Sequence, residues 1–369
     1  MQLATDNGSR RFALEKAYPP APSAGIESYH RQLALRLAFD PRCAENYRLY
    51  EMAVRGARLD YLPVKLDIEN VSRCNFACHM CQVSEWSKQK RADDLSLDRF
   101  TRLLDEQYGL VEIKLQGVGE PTMGEDAYVE MIRQARQRQI WVRTGSNASR
   151  LHLHDMASRL VDAGPNEIQI SVDGASKAVF ESIRRGSVFE KVIDNCRMIN
   201  AYCRERNLAL TKMWTMVQKA NRHQLDDLVA LGADIGFPCL VFAMDFSSWG
   251  SSAWEARNNN LVAEVTEADA RRLVALGAGL GIKVYFWGNQ AKFSRGPSGH
   301  ICHWPFERAF FSSDERVVPC CTIANPDTLS LGNASESLTQ VWQSEAYQDF
   351  RQAHLNGNIP NACRQCYRD

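Results

Sequence analysis

The sequence has no excess of charge of either sign, because Lys and Arg together number 44 and Asp and Glu also number 44. Such a chain has no overall field that attracts nucleic acid or an anionic membrane surface, so we expect neither as a partner. No stretch approaches the roughly 18 apolar residues of a membrane-spanning helix. An apolar run of the kind that forms a secretory signal is also missing near the N-terminus, which predicts a cytoplasmic protein.

Internal repeats and low-complexity tracts are absent too, so a fold built from repeated units is not expected. Of the 369 residues, 45% are hydrophobic and 24% charged, which is typical of a globular chain with one large and one smaller domain. Alternation of apolar and polar residues predicts strands separated by helical segments, at 64–68, 111–116, 140–144, 167–172, 208–217, 239–244 and 282–287. We therefore expect an α/β fold with a partial (β/α)6 TIM-like parallel barrel, because such alternation favours right-handed crossovers.

Cysteine is plentiful, with twelve in the chain, and three of them lie close together directly after the first predicted strand. Cys74, Cys78 and Cys81 form a C-x3-C-x2-C segment, and thiolates in such clusters select zinc, copper(I) or iron–sulfur clusters. Three thiolates leave one iron of a cubane cluster open, whereas zinc needs a fourth ligand, for which His79 is the nearest candidate. The spacing favours an iron–sulfur cluster, and zinc or plain structural cysteines stay as alternatives.

A second group of cysteines lies near the C-terminus. Cys302, Cys320, Cys363 and Cys366 could close an all-thiolate site from distant segments, and their spacing alone leaves zinc and iron–sulfur open. The two short C-x2-C knuckles of a zinc ribbon are absent, which weakens the zinc interpretation. Cys321 is left over as an alternative ligand, a hydrogen-atom donor or a packed thiol.

Glycine-rich and polar loops follow the next three predicted strands, at 117–121, 146–147 and 173–174. In parallel α/β folds, the carboxyl ends of the strands meet at one edge, so these loops and the cysteine loop should border one pocket.

The cysteine segment resembles the signature of the radical S-adenosylmethionine (SAM) superfamily, whose open iron binds SAM. The resemblance implies a [4Fe–4S] cluster on Cys74, Cys78 and Cys81. It also implies a SAM site that includes Met80, Gly117, Gly119, Glu120, Pro121, Asn147, Ser171, Arg184 and Met216. Val118 departs from the family pattern by separating the two glycines. Taken alone, the glycine loop could be a simple turn, Ser171 and Met216 ordinary strand residues, and Arg184 a solvated charge.

The C-terminal segment resembles the SPASM/twitch domain of the same superfamily. The spacing of its cysteines is similar to that in the butirosin-pathway cyclitol dehydrogenase. The larger form of this domain has seven cysteines and this segment has five. The resemblance therefore implies one auxiliary [4Fe–4S] cluster, on Cys302, Cys320, Cys363 and Cys366. It divides the chain into an N-terminal helical extension at 1–60, a radical SAM core barrel at 61–290 and a small iron–sulfur domain at 291–369.

Membership of this family implies an oxidoreductase that generates a 5′-deoxyadenosyl radical and abstracts hydrogen from a small polar substrate, such as a sugar or a cyclitol. The fully ligated auxiliary cluster would accept an electron, and the net reaction would be a dehydrogenation. A reducing donor such as flavodoxin or ferredoxin is implied as a partner.

Three alternatives stay open. Epimerisation of a sugar or a peptide would need a cysteine as hydrogen-atom donor, for which Cys239 and Cys321 are candidates. Maturation of a ribosomal peptide uses the same scaffold, but residues 1–60 lack the hairpin pattern of the leader-binding module common there, so we expect the small substrate. The non-enzymatic alternative is a zinc-stabilised binding protein.

Overall fold

The computed structural model describes residues 25–288, 293–294 and 301–368. Seven strands alternate with helices along most of this chain, and each of the seven predicted strands is present with slightly different ends. They are β1 (Lys65–Ile68), β2 (Glu112–Leu115), β3 (Trp141–Ser146), β4 (Glu167–Ser171), β5 (Thr211–Met216), β6 (Cys239–Ala243) and β7 (Lys283–Trp287). All six neighbouring pairs, from β1·β2 to β6·β7, are parallel, so the predicted α/β fold class is confirmed.

The remaining strands come from the C-terminal part of the chain: β8 (Phe293–Ser294), β9 (Arg308–Phe311), β10 (Arg316–Val318), β11 (Gly332–Asn333) and β12 (Tyr367–Arg368). Strand β9 pairs in parallel with β1, and β10 and β11 continue the same sheet in antiparallel fashion. The sheet therefore has ten strands in the order β11-β10-β9-β1-β2-β3-β4-β5-β6-β7, while β8 and β12 form a separate parallel pair.

One continuous sheet thus joins the two regions that the sequence separates at residue 290. That residue lies outside the described ranges, and the boundaries at 60 and 290 stay predictions.

The helices that connect the first seven strands are α3 (Leu97–Glu106), α4 (Glu125–Gln137), α5 (Met156–Asp162), α6 (Lys177–Ile183), α7 (Phe189–Glu205), α8 (Leu225–Ile235), α9 (Ser252–Asn259) and α10 (Glu267–Leu280). Short or C-terminal helices follow at α11 (Trp304–Glu307), α12 (Leu338–Trp342) and α13 (Glu345–Leu355). Helix α9 lies inside the segment 247–260, whose Ser, Gly and Asn-Asn-Asn content favours a loop. None of the described helices combines the length and apolar character needed to cross a membrane.

Two N-terminal helices, α1 (Gly25–Phe39) and α2 (Pro41–Met52), pack at the amino ends of β2 and β3. Arg36 Nε donates to the Leu110 carbonyl (2.8 Å), and Gln32 Nε2 donates to the Gln139 carbonyl (2.8 Å). Because these helices occupy the amino edge of the sheet, the opposite edge is left for the loops that carry the predicted site.

Both faces of the first strand are buried, although every second residue is charged. Leu66 and Ile68 join the apolar core, whereas Lys65 and Asp67 form ion pairs with Glu307 and Arg308. The alternating pattern that predicts β1 therefore separates an apolar face from an ion-paired face, and neither face is exposed to solvent. We call the ion-paired face the interior of the sheet.

Candidate active site

The three-cysteine loop at 74–81 follows β1 and is fastened by neighbouring loops. The Ala77 amide donates to the Arg185 carbonyl (2.7 Å) after α6, and Asn75 Nδ2 donates to Ser149 Oγ (2.8 Å) after β3. These hydrogen bonds fasten the loop at the carboxyl edge of the sheet. The loops that the sequence predicts to converge are therefore in contact.

The thiols of this loop form a single electrostatic group. Burial raises the pKa of Cys74, and the neighbouring Glu120, Cys81 and Cys78 raise it further. Burial and the nearby Cys78 raise the pKa of Cys81 to about 12. Without metal these side chains are therefore protonated, and iron would have to displace the protons. Three clustered thiols of this kind suit a [4Fe–4S] cluster with one open iron.

Arg184 lies beside this group and is not a solvated charge. Its Nη1 is 4.0 Å from Cys78 Sγ, and its Nε donates to Asp173 Oδ2 (2.6 Å). Burial alone would lower the pKa of Arg184, but Asp173 and Cys78 outweigh it and raise the pKa. Asp173 also accepts from the Met216 amide (2.7 Å). Sequence reasoning did not assign Asp173 a role, yet it fixes Arg184 against the end of β5.

Both carboxylate oxygens of Glu120 accept hydrogen bonds from other residues of the protein. Oε1 accepts from Ser146 Oγ (2.7 Å) and Thr122 Oγ1 (2.6 Å), and Oε2 accepts from the Asn147 amide (2.7 Å). Burial raises the pKa of Glu120, although these donors oppose the increase. The side chain therefore ties the glycine loop to the end of β3, and Pro121 starts the short 3-10 turn that follows it.

The two glycines of this loop are required by close contacts, Gly119 with backbone carbonyls and Gly117 with the buried side chain of Glu69. A Cβ on Gly119 would lie 2.4 Å from the Val71 carbonyl oxygen and 2.5 Å from that of Arg73. A Cβ on Gly117 would lie 2.2 Å from Glu69 Cγ. The Gly-x-Gly-Glu-Pro segment therefore packs directly on the chain that enters the cysteine loop, and it is more than a turn.

Three other predicted SAM-site residues lie at the same edge. Asn147 Nδ2 donates to Asn75 Oδ1 (3.1 Å) and is 3.9 Å from Cys74 Sγ. Ser171 and Met216 end the adjacent strands β4 and β5, and both are partly exposed. This position allows them to border a ligand bound over the cysteine loop.

The backbone of Met80, a predicted SAM-site residue, is hydrogen-bonded to a neighbouring segment of the protein. Its carbonyl accepts from Trp249 Nε1 (3.4 Å) and Asn258 Nδ2 (3.3 Å). Both donors belong to the segment 247–260, which therefore packs against the cysteine loop. At least one lone pair of the Met80 carbonyl is thus used by the protein itself.

Trp249 contacts both cysteine-rich regions and was missed by sequence reasoning. Besides its hydrogen bond to the cysteine loop, it packs against an apolar cluster that also contacts Val118, Cys320 and Cys363. Its backbone has φ of 52°, a left-handed conformation that is uncommon for a bulky residue. No periodic sequence pattern identifies Trp249 as a site residue, because its role depends on two segments, the cysteine loop and the C-terminal region, that meet around it only in the folded chain.

The four C-terminal cysteines Cys302, Cys320, Cys363 and Cys366 also lie together. Burial and the other three thiols raise the pKa of Cys363 well above its ordinary value. Tyr367 holds one end of the group, because its hydroxyl accepts from the Cys302 amide (2.9 Å). In the described part of the chain, no three His, Cys, Asp or Glu side chains converge on a single ion position. A [4Fe–4S] cluster takes its thiolates on different irons, so this arrangement suits the predicted auxiliary cluster.

Cys321 is next to Cys320, but most of the charged groups around its thiol belong to the sheet. Burial raises the pKa of its thiol to about 12, and its charged neighbours are Asp67, Lys114 and Arg308. These residues lie on β1, β2 and β9, so the thiol points to the interior of the sheet. It stays a candidate hydrogen-atom donor.

For Cys239 the structure argues against the predicted donor role. It is the first residue of β6, and its charged neighbours Lys212, Glu167 and Lys283 lie near the starts of β5, β4 and β7. The amino end of a parallel strand is the edge opposite the cysteine loop. The sequence already placed Cys239 at the start of its strand, and this signal was overlooked.

Two family models match the chain. The model of the radical SAM superfamily matches residues 70–231, and that of the SPASM iron–sulfur cluster-binding domain matches residues 302–367. The chain therefore contains a radical SAM domain followed by a SPASM domain. It is a radical SAM enzyme, and its predicted cofactors are confirmed as SAM, a SAM-binding [4Fe–4S] cluster and an auxiliary iron–sulfur cluster. The individual ligand residues stay predictions.

The relatives of this radical SAM enzyme include proteins that modify peptides and cofactors. The mycofactocin maturase MftC of Mycolicibacterium smegmatis is 28% identical over 214 residues, which cover 56% of this chain and 50% of MftC. A tungsten-containing aldehyde ferredoxin oxidoreductase cofactor-modifying protein of Pyrococcus furiosus is 25% identical over 327 residues, covering 82% and 86%. The chain therefore spans about half the length of the mycofactocin maturases that it matches.

Among solved structures, SuiB of Streptococcus suis bound to the precursor peptide SuiA superposes with a TM-score of 0.61 at 14% identity. The match covers 95% of this chain and 75% of SuiB. At this identity the likeness shows the fold alone. BtrN in complex with AdoMet and 2-DOIA, from the butirosin pathway, superposes with a TM-score of 0.49.

Proposed function

We propose that this radical SAM enzyme oxidises a peptide that enters the interior of the sheet between the two groups of cysteines. The relatives support this choice, because MftC is named a maturase and SuiB was solved with a precursor peptide. They favour the peptide over the sugar or cyclitol that the sequence led us to expect. The donor of the reducing electron, such as flavodoxin or ferredoxin, stays a prediction.

The observation that carries the proposal is that Trp249 lies between the two cysteine-rich regions and contacts residues of both. Its indole donates to the Met80 carbonyl in the loop of Cys74, Cys78 and Cys81. It also packs against the apolar cluster that Cys320 and Cys363 border. A substrate bound beside Trp249 would therefore lie within reach of both clusters. This arrangement suits a reaction in which hydrogen abstraction and electron removal occur on one bound molecule.

On the SAM side, Cys74, Cys78 and Cys81 would hold the first cluster. Arg184, fixed by Asp173, would stabilise the negative charge of the thiolates and of a bound carboxylate. The backbone around Gly117 and Gly119 would accept from an ammonium, because the Glu120 carboxylate is already occupied. When bound, SAM and the two clusters supply hydrogen-atom abstraction and take up the electron that the oxidation releases.

On the auxiliary side, Cys302, Cys320, Cys363 and Cys366 would use every iron of the second cluster. A cluster without an open iron cannot bind substrate directly, so its role would be to accept an electron. Burial of the Cys302, Cys320 and Cys363 thiols would also keep water from the cluster.

The test is deuterium transfer to 5′-deoxyadenosine. The anaerobically reconstituted and reduced enzyme would be incubated with SAM and a perdeuterated peptide library, and separately with deuterated sugars and cyclitols. Mass spectrometry should find deuterium in 5′-deoxyadenosine only with the peptides. Deuterium transfer from a sugar or a cyclitol alone would refute the peptide and restore the small polar substrate. A Cys74→Ala variant, which lacks a predicted cluster ligand, controls for transfer that does not depend on SAM cleavage.

A further inference from the structure

The interior of the sheet carries a network of ion pairs. Arg308 pairs with Asp67 (3.1 Å) across β9 and β1, and Arg143 pairs with Glu112 (2.6 Å) across β3 and β2. Lys212 pairs with Glu167 (2.9 Å) and Lys65 with Glu307 (3.2 Å). Such pairing is expected, because a buried charge without a partner is costly.

Lys114 departs from this pattern. It lies on β2 in register with Asp67 of β1 and Arg143 of β3, so its side chain is on the face that carries the network. No hydrogen bond or ion pair joins its ammonium to any residue within 25–288, 293–294 or 301–368, because Asp67 is paired with Arg308. With Lys114 included, the network holds five basic and four acidic side chains. One positive charge is therefore left over.

The position of Lys114 fits a binding role. Its neighbours Asp67 and Arg143 are buried, whereas Lys114 is partly exposed, so the interior opens at this residue. Its ammonium lowers the pKa of the nearby Cys321 thiol, against the larger opposing effect of burial. It also lies three residues before Gly117, which corresponds to about 10 Å of strand between the lysine and the SAM loop.

We propose that Lys114 binds a carboxylate of the substrate on the ion-paired face of the sheet, near Cys321. This inference rests on the proposed function, since it assumes that the substrate enters the interior. A carboxylate brings one negative charge, which matches the single unpaired ammonium, and it forms charge-assisted hydrogen bonds with it. A phosphate would bring up to two charges and leave the network negative. Lys114 would therefore select substrates with an acidic side chain or a free C-terminus placed near the reacting carbon.

The test is calorimetric titration of the reconstituted, SAM-bound enzyme with glutarate, with the neutral analogue glutaramide and with inorganic phosphate. We expect glutarate to bind and glutaramide not to bind. Lys114→Met should weaken glutarate binding about tenfold or more, because the charge-assisted contact is lost, while Lys114→Arg should retain it. Lys191→Met removes an exposed lysine on α7 and is the matched control.

Equal glutarate affinity in Lys114→Met and the parent enzyme, or no binding to the parent, would overturn the proposal. Tighter binding of phosphate than of glutarate would replace the carboxylate by a phosphate and overturn it as well. Lys114→Gln repeats the test with a polar side chain if Lys114→Met does not fold. Because binding is measured without turnover, failure of deuterium transfer from peptides would disprove the peptide and leave the anion site intact.

Discussion

The two cysteine groups of this enzyme are built in different ways. Cys74, Cys78 and Cys81 come from one loop of eight residues, with the Arg184 cation at 4.0 Å from Cys78 Sγ. Cys302, Cys320 and the pair at 363–366 come from segments that are distant in sequence, and the strongest influences on Cys363 are burial and other thiols. The first group is thus a local feature with a nearby cation, and the second depends on the tertiary fold.

The difference follows from how each group is held in place. The first loop follows β1 and is closed by short contacts from loops at the same edge of the sheet. The second group requires β9 to enter the sheet beside β1 and requires Tyr367 to reach back to Cys302. We therefore expect the two groups to respond differently to mutation and to acid.

The largest expected effect separates the two groups by function. Cys74→Ala should abolish formation of 5′-deoxyadenosine, whereas Cys302→Ala should retain it and lose only the oxidised product. Each variant should lose about four irons per chain, because each group would hold one [4Fe–4S] cluster. Iron analysis and chromatography of 5′-deoxyadenosine measure both results. Cys203→Ala, a buried cysteine of α7, is the control, and unchanged SAM cleavage in Cys74→Ala would contradict the ligand assignment.

The next effect concerns the contact between the two regions at acid pH. Burial alone would raise the pKa of Glu112, but Arg143, Arg308 and Lys65 lower it to about 2. Because the folded-state pKa is below the unfolded value, the stabilisation is present above about pH 4.5 and is lost as the pH falls towards 2. The free energy of unfolding should decrease by about 3 kcal/mol over this range from this carboxylate.

Urea unfolding of the cluster-free protein, followed by tryptophan fluorescence at several pH values, measures this loss. Glu112→Gln should be less stable near neutral pH and should show a flatter pH dependence, because Arg308 of β9 loses a partner on β2. Glu51→Gln, at an exposed position of α2, should keep the parent profile. An equally steep profile in Glu112→Gln would mean that other carboxylates dominate.

The smallest effect concerns Arg184, the cation beside the first group. Arg184→Met should weaken SAM binding about tenfold, since the charge-assisted contact beside Cys78 is removed. Arg184→Lys should retain part of the affinity, because it keeps the charge but not the planar fork that reaches Asp173. Equilibrium dialysis with labelled SAM gives the affinities, and Arg102→Met on α3 is the exposed control. Iron content should stay at the parent level, so a loss of iron would point to a structural role instead.

Sequence patterns were sufficient for the features that depend on near neighbours. Strand alternation located β1 to β7, and the order of strands and loops predicted that the cysteine, glycine and Asn147 loops would meet at one edge. The same patterns failed where the partner is distant. They did not predict that β9 would extend the sheet, that Glu120 would use both oxygens on Ser146, Thr122 and Asn147, or that Asp173 would fix Arg184.

By itself, the sequence determined the chemistry that the site can hold, because thiolate spacing and strand periodicity are properties of short segments. Tertiary structure decided which side chains remain available, because ion pairs and hydrogen bonds form between residues that are distant along the chain. Lys114 illustrates the difference. As a strand residue it is ordinary, and only the pairing of Asp67 with Arg308 leaves its charge free for a ligand.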